Sequence, residues 1–355
     1  MDKKKIRGVS AEQIKKLAQN ITNKSVIKTP QKIINSRTRF IKNPVPQIIP
    51  GVFKKIIRPE NSFLTTLAKN VIRLPLPEKG AFNAGMVKFP HKNEYVLAYR
   101  PDEYRFVTCV LDENLDVKKD TFKMYHITNC ADPRLIWTPN NELLIVYSSS
   151  EEGTHLECIR GCIIMDLNKS EEFLDKKPFR ISPKSTTRHK NWMPFVCDGK
   201  IFLIASVCPH IVYELQLGIN PVCKQVFETS WISPWMFKEF LRGNTNCVRL
   251  DDGNYLSTFH TTTWYQGRYF YDNGAYIFEG KPPFKVLKCA NRTYLKAEDA
   301  IEPHFRKGGL IACTFPVGMV KENDRLLISY GDNDSCVKIL ETSVKEMINL
   351  MLEVY

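Results

Sequence analysis

The chain has 355 residues, 43% hydrophobic and 25% charged, with a formal net charge of +13. That balance excludes a wholly disordered chain and is ample for a packed core. Residues 1–60 hold 15 Lys/Arg against 3 Asp/Glu, while the rest hold 36 against 35. The basic character belongs to one end, which argues against a nucleic-acid binder that carries its basic face on the folded body.

Taken in chain order, residues 1–80 read as a basic arm, largely irregular or strapped on the body. Ser10 to Asn20 could form a short helix, with Ser10 as N-cap and Gln13 three residues on. Pro30, Pro44, Pro46, Pro50 and Pro59 then break any hydrophobic period. The arm suits a tether to an anionic surface, either membrane phosphates or RNA, or a solvated tail. No apolar leader follows the opening Met-Asp-Lys-Lys-Lys, and no run is long enough to span a membrane. An intracellular location is expected. The 11 cysteines show no CxxC pairing, so buried free thiols in a reducing compartment are expected and a metal site is not.

From residue 81 to 355 the pattern changes to short apolar runs between turn signals. Five segments repeat one design: Asn83–Arg100, Asp132–Ser149, Asn191–Val207, Asn244–Thr261 and Pro316–Asp332. Each opens on a small or polar group, runs as an apolar strand, turns, and returns as a second apolar strand. Asp198-Gly199 and Asp252-Gly253 are two-residue hairpin turns, because Gly accepts positive φ, and Asn140-Asn141 can serve likewise. Further strand material lies between the copies. Four-stranded blades recurring five times predict an all-β fold, a five-bladed β-propeller.

In such a fold, equivalent ends of the inner strands converge at one mouth. Asn83, Asp132, Asn191, Asn244 and Val317 open the same strand in their copies, and Arg100, His260 and Asp332 close the next. Two neighbouring rings of polar groups around one axis are predicted, forming the default site.

The motifs Ala131-Asp132-Pro133-Arg134, Lys190-Asn191-Trp192-x-Pro194, Arg242-Gly243-x-Thr245, Phe259-His260, Tyr271-x-Asn273-Gly274-Ala275, Phe315-Pro316-x-Gly318 and Tyr330-Gly331-x-x-Asp334 occur in that order. Together they resemble the β-mannoside phosphorylases of glycoside hydrolase family 130, over about residues 82–345. The resemblance implies a five-bladed propeller that cleaves or builds β-mannosidic bonds with phosphate, water or an activated mannosyl donor. It implies that Asp132 handles the proton on the bridging oxygen, and that Arg100 contacts the sugar. The sequence departs from the family at Ala131, where Glu is usual, and at Tyr330-Gly331-Asp332-Asn333-Asp334, where Tyr-Gly-Ala-Ala-Asp is common.

The residues themselves bear on the chemistry. Positions i and i+2 of a strand share a face, so Asp132 and Arg134 should meet one ligand. A phosphorylase needs fixed cations for its phosphate, and Arg134, Lys190, Arg242 and His260 are candidates. A hydrolase needs a second carboxylate set back to activate water, for which Asp332, Asp334, Glu279 and Glu302 are available. A glycosyltransferase would use the cations for a nucleoside diphosphate. Trp192 could stack on a sugar or pack between blades. Pro209-His210 is a weaker candidate. No P-loop, GxGxxG, GxSxG or HExxH motif occurs. The expected function is inverting glycosyl transfer on β-mannosides or similar sugars. No resident cofactor is expected, and inorganic phosphate or a sugar nucleotide would be co-substrate. Alternatives are a water-using glycoside hydrolase and a non-catalytic glycan-binding or scaffold propeller.

Overall fold

The computed structural model describes residues 70–354, apart from 103, 128–129, 151–156, 184–187, 236–240, 266–267 and 303–310. The helix expected over Ser10–Asn20 and the proline-rich strap lie outside the described residues.

The strand-turn pattern becomes five consecutive antiparallel units, the fourth and fifth joined into one sheet by a short parallel pairing of 269–271 with 311–313. The first holds β2 (Phe82–Lys88), β3 (Tyr95–Arg100), β4 (Arg105–Leu111) and β5 (Val117–His126). The second holds β6 (Cys130–Trp137), β7 (Glu142–Ser150), β8 (Glu157–Asp166) and β9 (Phe179–Arg180). The third holds β10 (Met193–Cys197), β11 (Lys200–Ser206), β12 (His210–Gln216) and β13 (Val222–Thr229). The fourth combines β14 (Arg242–Gly243) and β15 (Val248–Arg249) as its broken inner strand with β16 (Tyr255–Tyr265), β17 (Arg268–Phe278) and β18 (Val286–Ala290). Its outer edge is completed near the C-terminus by β22 (Met351–Glu353), which pairs with β18. The fifth holds β19 (Ile311–Glu322), β20 (Arg325–Asp332) and β21 (Cys336–Ser343).

The outermost strand of the fifth unit comes from the other end of the chain: β1 (Asn70–Arg73) pairs antiparallel with β21. Residues 70–73 therefore belong to the sheet, although they fall inside the stretch the sequence assigns to the arm.

Burial grades outward as a radial sheet requires. In the first unit β2 and β3 are buried on both faces, whereas β5, with the sequence VKKDTFKMYH, is mostly half-buried or exposed. Inner strands read as near-continuous apolar runs because each face packs on a neighbouring blade. Five apolar clusters fill those seams. Leu135 and Ile145 meet Val96 and Phe106 between units one and two, and Trp192 and Leu203 meet Ile136 and Leu144 between two and three. Phe195 meets Tyr255 and Phe278 between three and four, and Leu256 meets Ile328 and Leu340 between four and five. Leu97 meets Leu327 and Ile339 between five and one. The chain of seams closes on itself, and each such side chain contributes about 1.5–3 kcal/mol by burial.

Polar bonds cross the same seams. Trp137 Nε1 donates to the Lys88 carbonyl at 2.7 Å. The Tyr255 hydroxyl donates to the Val196 carbonyl at 2.6 Å. Asn246 bonds both backbone groups of Met319, at 2.9 and 3.0 Å. At the axis the inner strands approach so closely that a Cβ on Gly85 would lie 2.0 Å from the Pro133 carbonyl oxygen.

The expected two-residue turn forms at one of the three copies. Asp198 and Gly199 both have positive φ, 47° and 72°, as the tight β10–β11 hairpin needs. At Asn140-Asn141 and Asp252-Gly253 only the second residue has positive φ, 57° and 87°, and backbone bonds from Thr138 to Glu142 and from Leu250 to Asn254 close three-residue loops in place of the expected two-residue turns. All eleven cysteines are free, and nine are buried. Among the described residues no helix is long and apolar enough to cross a membrane.

Candidate active site

The site is built from a backbone irregularity repeated in three blades. Asn83, Asp132 and Asn191 stand at φ 48°, 54° and 59°. Asn and Asp are the non-glycine residues that adopt this left-handed conformation most readily. The strand register slips beside the first two, between Phe82 and Gly85 and between Ala131 and Arg134. Each slip re-aims one side chain out of the sheet alternation. As a result Asn83 and Asp132, from neighbouring blades, meet: Asn83 Nδ2 donates to Asp132 Oδ1 at 3.0 Å.

Asp132 is 4% exposed. Arg100, from the end of β3, places Nη1 3.3 Å from the same Oδ1 and stacks its guanidinium over Phe82 at 4.5 Å. Among the described residues no hydrogen-bond donor meets Asp132 Oδ2. Burial alone pushes this carboxyl up. The charges of Arg100, Lys190 and Arg134 and the Asn83 amide outweigh burial and hold it below the usual carboxylate range. Asp132 is therefore a buried carboxylate kept ionised by its surroundings, with one oxygen uncommitted.

Arg134 does not share a ligand face with Asp132 as strict alternation predicts, because the register slip intervenes. Its guanidinium is 1% exposed. Its nitrogens donate to backbone carbonyls: Nη1 to Asp132 at 2.9 Å, Nε to Asn244, and Nη2 to Gly243 at 3.4 Å. Burial lowers it to about 10, against the pull of Asp132. Arg134 is thus a strut that ties the second blade to the fourth and acts on Asp132 through its field.

The fourth blade adds a polar chain that the sequence reading did not assemble. His260 Nδ1 lies 2.6 Å from Asn244 Oδ1, Asn244 Nδ2 donates to Asn273 Oδ1 at 3.0 Å, and Asn273 Nδ2 reaches Thr314 Oγ1 at 2.8 Å. Phe315 meets the His260 ring edge-on at 5.0 Å and Tyr271 stacks on it at 5.6 Å. Burial, with Arg242, Arg134 and Lys190, lowers His260 to about 3, so it is neutral at physiological pH. The signal was present in Asn273 of the Tyr271-x-Asn273 motif. Its partner Asn244 was noted only as a strand opener.

The remaining expected residues divide. Lys190 lies close enough to act on both Asp132 and His260 and is anchored by Glu157 Oε1 at 3.4 Å. Arg242 pairs across β14–β16 with His260 and lowers its pKa. Asn191 is 2% exposed, and its Oδ1 has no partner among the described residues; nor does Arg100 Nε. Asp334 Oδ1 shares the Asn83 amide at 3.4 Å. Gly331 makes that possible, since a Cβ there would sit 2.0 Å from Asn83 Oδ1.

Others are placed elsewhere. Asp332 is wholly buried and bonded to Lys338 Nζ at 2.6 Å and to the backbone nitrogens of Ile301 and Glu302 at 3.2 Å. It is a structural ion pair and not a ligand-facing carboxylate. Glu302 pairs with Arg73 at 3.0 Å. Glu302, Asp332 and Cys336 form a grouping of metal-ligand type, but the Lys338 ammonium already supplies its cation, 3.8 Å from Glu302. Glu279 lies past the far end of β17, about 20 Å along the strand from Asn273 at 3.3 Å per residue. Trp192 packs in the seam between the second and third blades, 4.5 Å from the Tyr213 ring. His210 is a core histidine against Phe278, and burial lowers it to about 4. Val317 is an apolar residue of a small cluster with Phe315 and Cys313.

Beside this cluster opens a cavity of about 700 Å³, lined by Arg188, Lys190, Trp192, Tyr213, Trp231 and Arg242 among others. Asp132, Asn83 and Arg100 are not in its lining. It touches the polar cluster through Lys190, Arg242 and Gly243, whose carbonyl receives Arg134.

Comparison with solved structures shows the same fold in a β-1,2-mannobiose phosphorylase from Listeria innocua, at 13% identity and TM-score 0.51, covering 81% of this chain and 94% of that one. A GDP-Man-dependent mannosyltransferase from Leishmania mexicana matches at 14% identity and TM-score 0.52, covering 79% and 90%. A glycosyl hydrolase from Bacteroides ovatus matches at 14% and 0.51, covering 81% and 93%. No curated protein gives a significant sequence match. The family described as beta-1,4-mannooligosaccharide phosphorylase matches over residues 113–353, which span every strand from β5 to β22. The chain belongs to glycoside hydrolase family 130, a family of enzymes acting on β-mannosidic linkages.

Proposed function

We infer that this chain is an inverting glycosyl-transfer enzyme for β-mannosides, using Asp132 as its proton-handling carboxylate and a phosphate-bearing co-substrate. The observation that carries the reading is the setting of Asp132: buried, ionised, with Oδ2 uncommitted, and faced by Lys190, Arg134 and Arg100. An ionised carboxylate is ready to accept a proton, which is the role needed when a sugar hydroxyl attacks an activated anomeric carbon. Lys190 and Arg100 then neutralise the departing phosphate, while Arg134 stays a strut on its three carbonyls.

The water-using reading is less well supported. It needs a second carboxylate set back to activate water. Asp332 and Glu302 are committed to Lys338 and Arg73, and Glu279 is remote. Asp334 shares the amide that holds Asp132, so it sits beside the first carboxylate. The scaffold reading would be favoured by an Asp132 closed in a bidentate ion pair, whereas a single 3.3 Å contact is present.

The test is a donor screen on the full chain. Mannose 1-phosphate, sugar nucleotides and β-mannobiose with inorganic phosphate are each incubated with a β-mannoside acceptor or alone. Release of phosphate, nucleotide or mannose 1-phosphate is expected in one arm and not with Asp132→Asn. Hydrolysis of β-mannobiose without phosphate, and no other turnover, overturns the reading.

A further inference from the structure

We propose that the outer end of the β16–β17 hairpin is a stacking platform for the distal rings of a β-mannoside chain, so that the enzyme holds an oligosaccharide and not a single sugar. The proposal rests on the glycosyl-transfer reading above and extends its substrate outward.

The first support is length. β3 stops at Arg100, the position equivalent to His260, whereas β16 runs on to Tyr265 and β17 begins at Arg268. The two strands have 11 residues each and pair without a register slip. β19 braces β17 alongside, through the parallel pairing of 269–271 with 311–313. The overhang is thus a fixed part of the sheet. Its side chains are ordered before a ligand arrives, which lowers the cost of binding.

The second is the face. Side chains alternate along a strand, so His260, Thr262 and Trp264 share one face of β16. Their cross-strand partners Asn273, Tyr271 and Tyr269 share it on β17. This face begins inside the candidate site, where His260 meets Asn244 and Tyr271 stacks on His260. Burial raises the Tyr271 hydroxyl most, and Cys313, Asp334, Arg242 and Asp132 also act on it. The ladder therefore leads outward from the Asp132 carboxylate. Trp264 stands four residues past His260, about 13 Å along the strand at roughly 3.3 Å per residue, which is more than one pyranose ring spans.

The third is exposure without charge. Trp264 is 58% and Tyr269 48% exposed, although such side chains are usually well buried. The two rings meet edge to face at 4.5 Å, which orients them. Beyond His260, the described side chains on this face are Thr262, Trp264, Tyr269 and Tyr271, none of them charged. Such a face offers nothing to the phosphates of a nucleic acid or a lipid surface and suits a neutral glycan. A β-linked mannose ring turns its axial C–H bonds at C1, C3 and C5 to one side. That apolar side can seat on an aromatic ring while the hydroxyls stay in water. An α linkage puts the bridging oxygen on that side in place of the C1 hydrogen, so the platform selects the β linkage.

The test is calorimetric binding of mannobiose and mannotetraose, in β-1,2-, β-1,4- and α-1,2-linked forms, to the full chain. In one β series the tetrasaccharide should bind about three- to tenfold more tightly than the disaccharide, the worth of one aromatic contact. The α series should show no such gain. Trp264→Ser and Tyr269→Ser should each reduce the gain and together abolish it, whereas Trp264→Phe should retain most of it. Both positions are exposed, so circular dichroism of the variants should match wild type. Equal affinity at both lengths, no bound glycan, or a gain that survives the double variant overturns the platform. Self-association that the double variant abolishes, with the length gain intact, assigns the patch to a second copy of the chain and also overturns it. A length gain with no turnover in any arm of the donor screen keeps the platform and removes glycosyl transfer. Turnover with no length gain does the reverse.

Discussion

The sharpest test of the site is Asp132→Asn. The change removes the carboxylate proposed to accept the proton and keeps almost all else. General acid–base groups contribute about 10²–10⁴ in rate, which is about 3–5 kcal/mol at 1.36 kcal/mol per decade. Asn tolerates φ 54° as well as Asp does, and its Oδ1 still accepts from Asn83 Nδ2 and Arg100 Nη1. The loss to folding is the negative charge among three cations. Removing one partner of a buried pair costs at most about 3–5 kcal/mol. Here each cation keeps other support: Arg134 its three carbonyls, Lys190 its Glu157, Arg100 its Phe82 ring. A loss of about 1–2 kcal/mol is expected, lowering the melting temperature by roughly 2–8 °C. Asp132→Ala should lose a further 1–2 kcal/mol or so, because Ala resists the left-handed conformation. The assay is initial rate of phosphate or nucleotide release beside thermal unfolding of the same preparations. Turnover within fivefold of wild type refutes the proton-handling role. A melting temperature depressed by more than about 15 °C in the Asn variant makes the residue a strut and the lost activity uninformative.

Three further outcomes follow from the same geometry. Arg100→Gln removes the largest charge that holds Asp132 ionised. With Arg100 present, the carboxyl is depressed, so the acid limb of kcat/KM lies below the ordinary carboxylate range; the limb should move to higher pH in the variant, and an unmoved limb in a pH–rate profile refutes the coupling. The same depression makes ionised Asp132 contribute stability above its unfolded pKa of about 3.9, lost as pH falls through the folded value. Gly85→Ala places a Cβ against the Pro133 carbonyl and should cost about 1–3 kcal/mol in urea unfolding; unchanged stability means the inner strands do not meet there. Lys338→Met leaves Asp332 buried and uncompensated and should cost about 3–5 kcal/mol, part of which Asp332→Asn in the same chain restores. Equal destabilisation by the single and double variants contradicts the assigned ion pair.

The all-β architecture was legible because two local signals agreed at every copy. Apolar runs marked strands buried on both faces, and Asp198-Gly199, Asn141 and Gly253 marked their turns through φ. The strand Asn70–Arg73 was not legible. It is four residues long and mostly exposed, and the pairing that makes it a strand lies in β21, far along the chain. An edge strand with no apolar period carries its identity in its partner and not in its own sequence.

Within the site, position was more legible than role. The sequence placed Asn83, Asp132 and Asn191 at one structural level, and the shared positive φ is the physical reason they belong together. The same bulge defeats the alternation rule two residues later, which is why Arg134 turned out to hold backbone carbonyls. Asp332 occupies the expected rim position opposite Thr314, but Lys338 on the adjacent strand neutralises it, and six residues of separation gave no hint of that pair. Trp192 sits in a motif of site residues and still serves the seam between blades. The electrostatic balance at Asp132 was the least legible of all. Burial and three cations act on it in opposite directions, and the cations come from three different blade openings and ends. A single Asp-Pro-Arg motif cannot reveal which influence wins. That balance fixes the resting state of the group: with the cations winning, Asp132 is held as a carboxylate in a setting where burial alone would have protonated it.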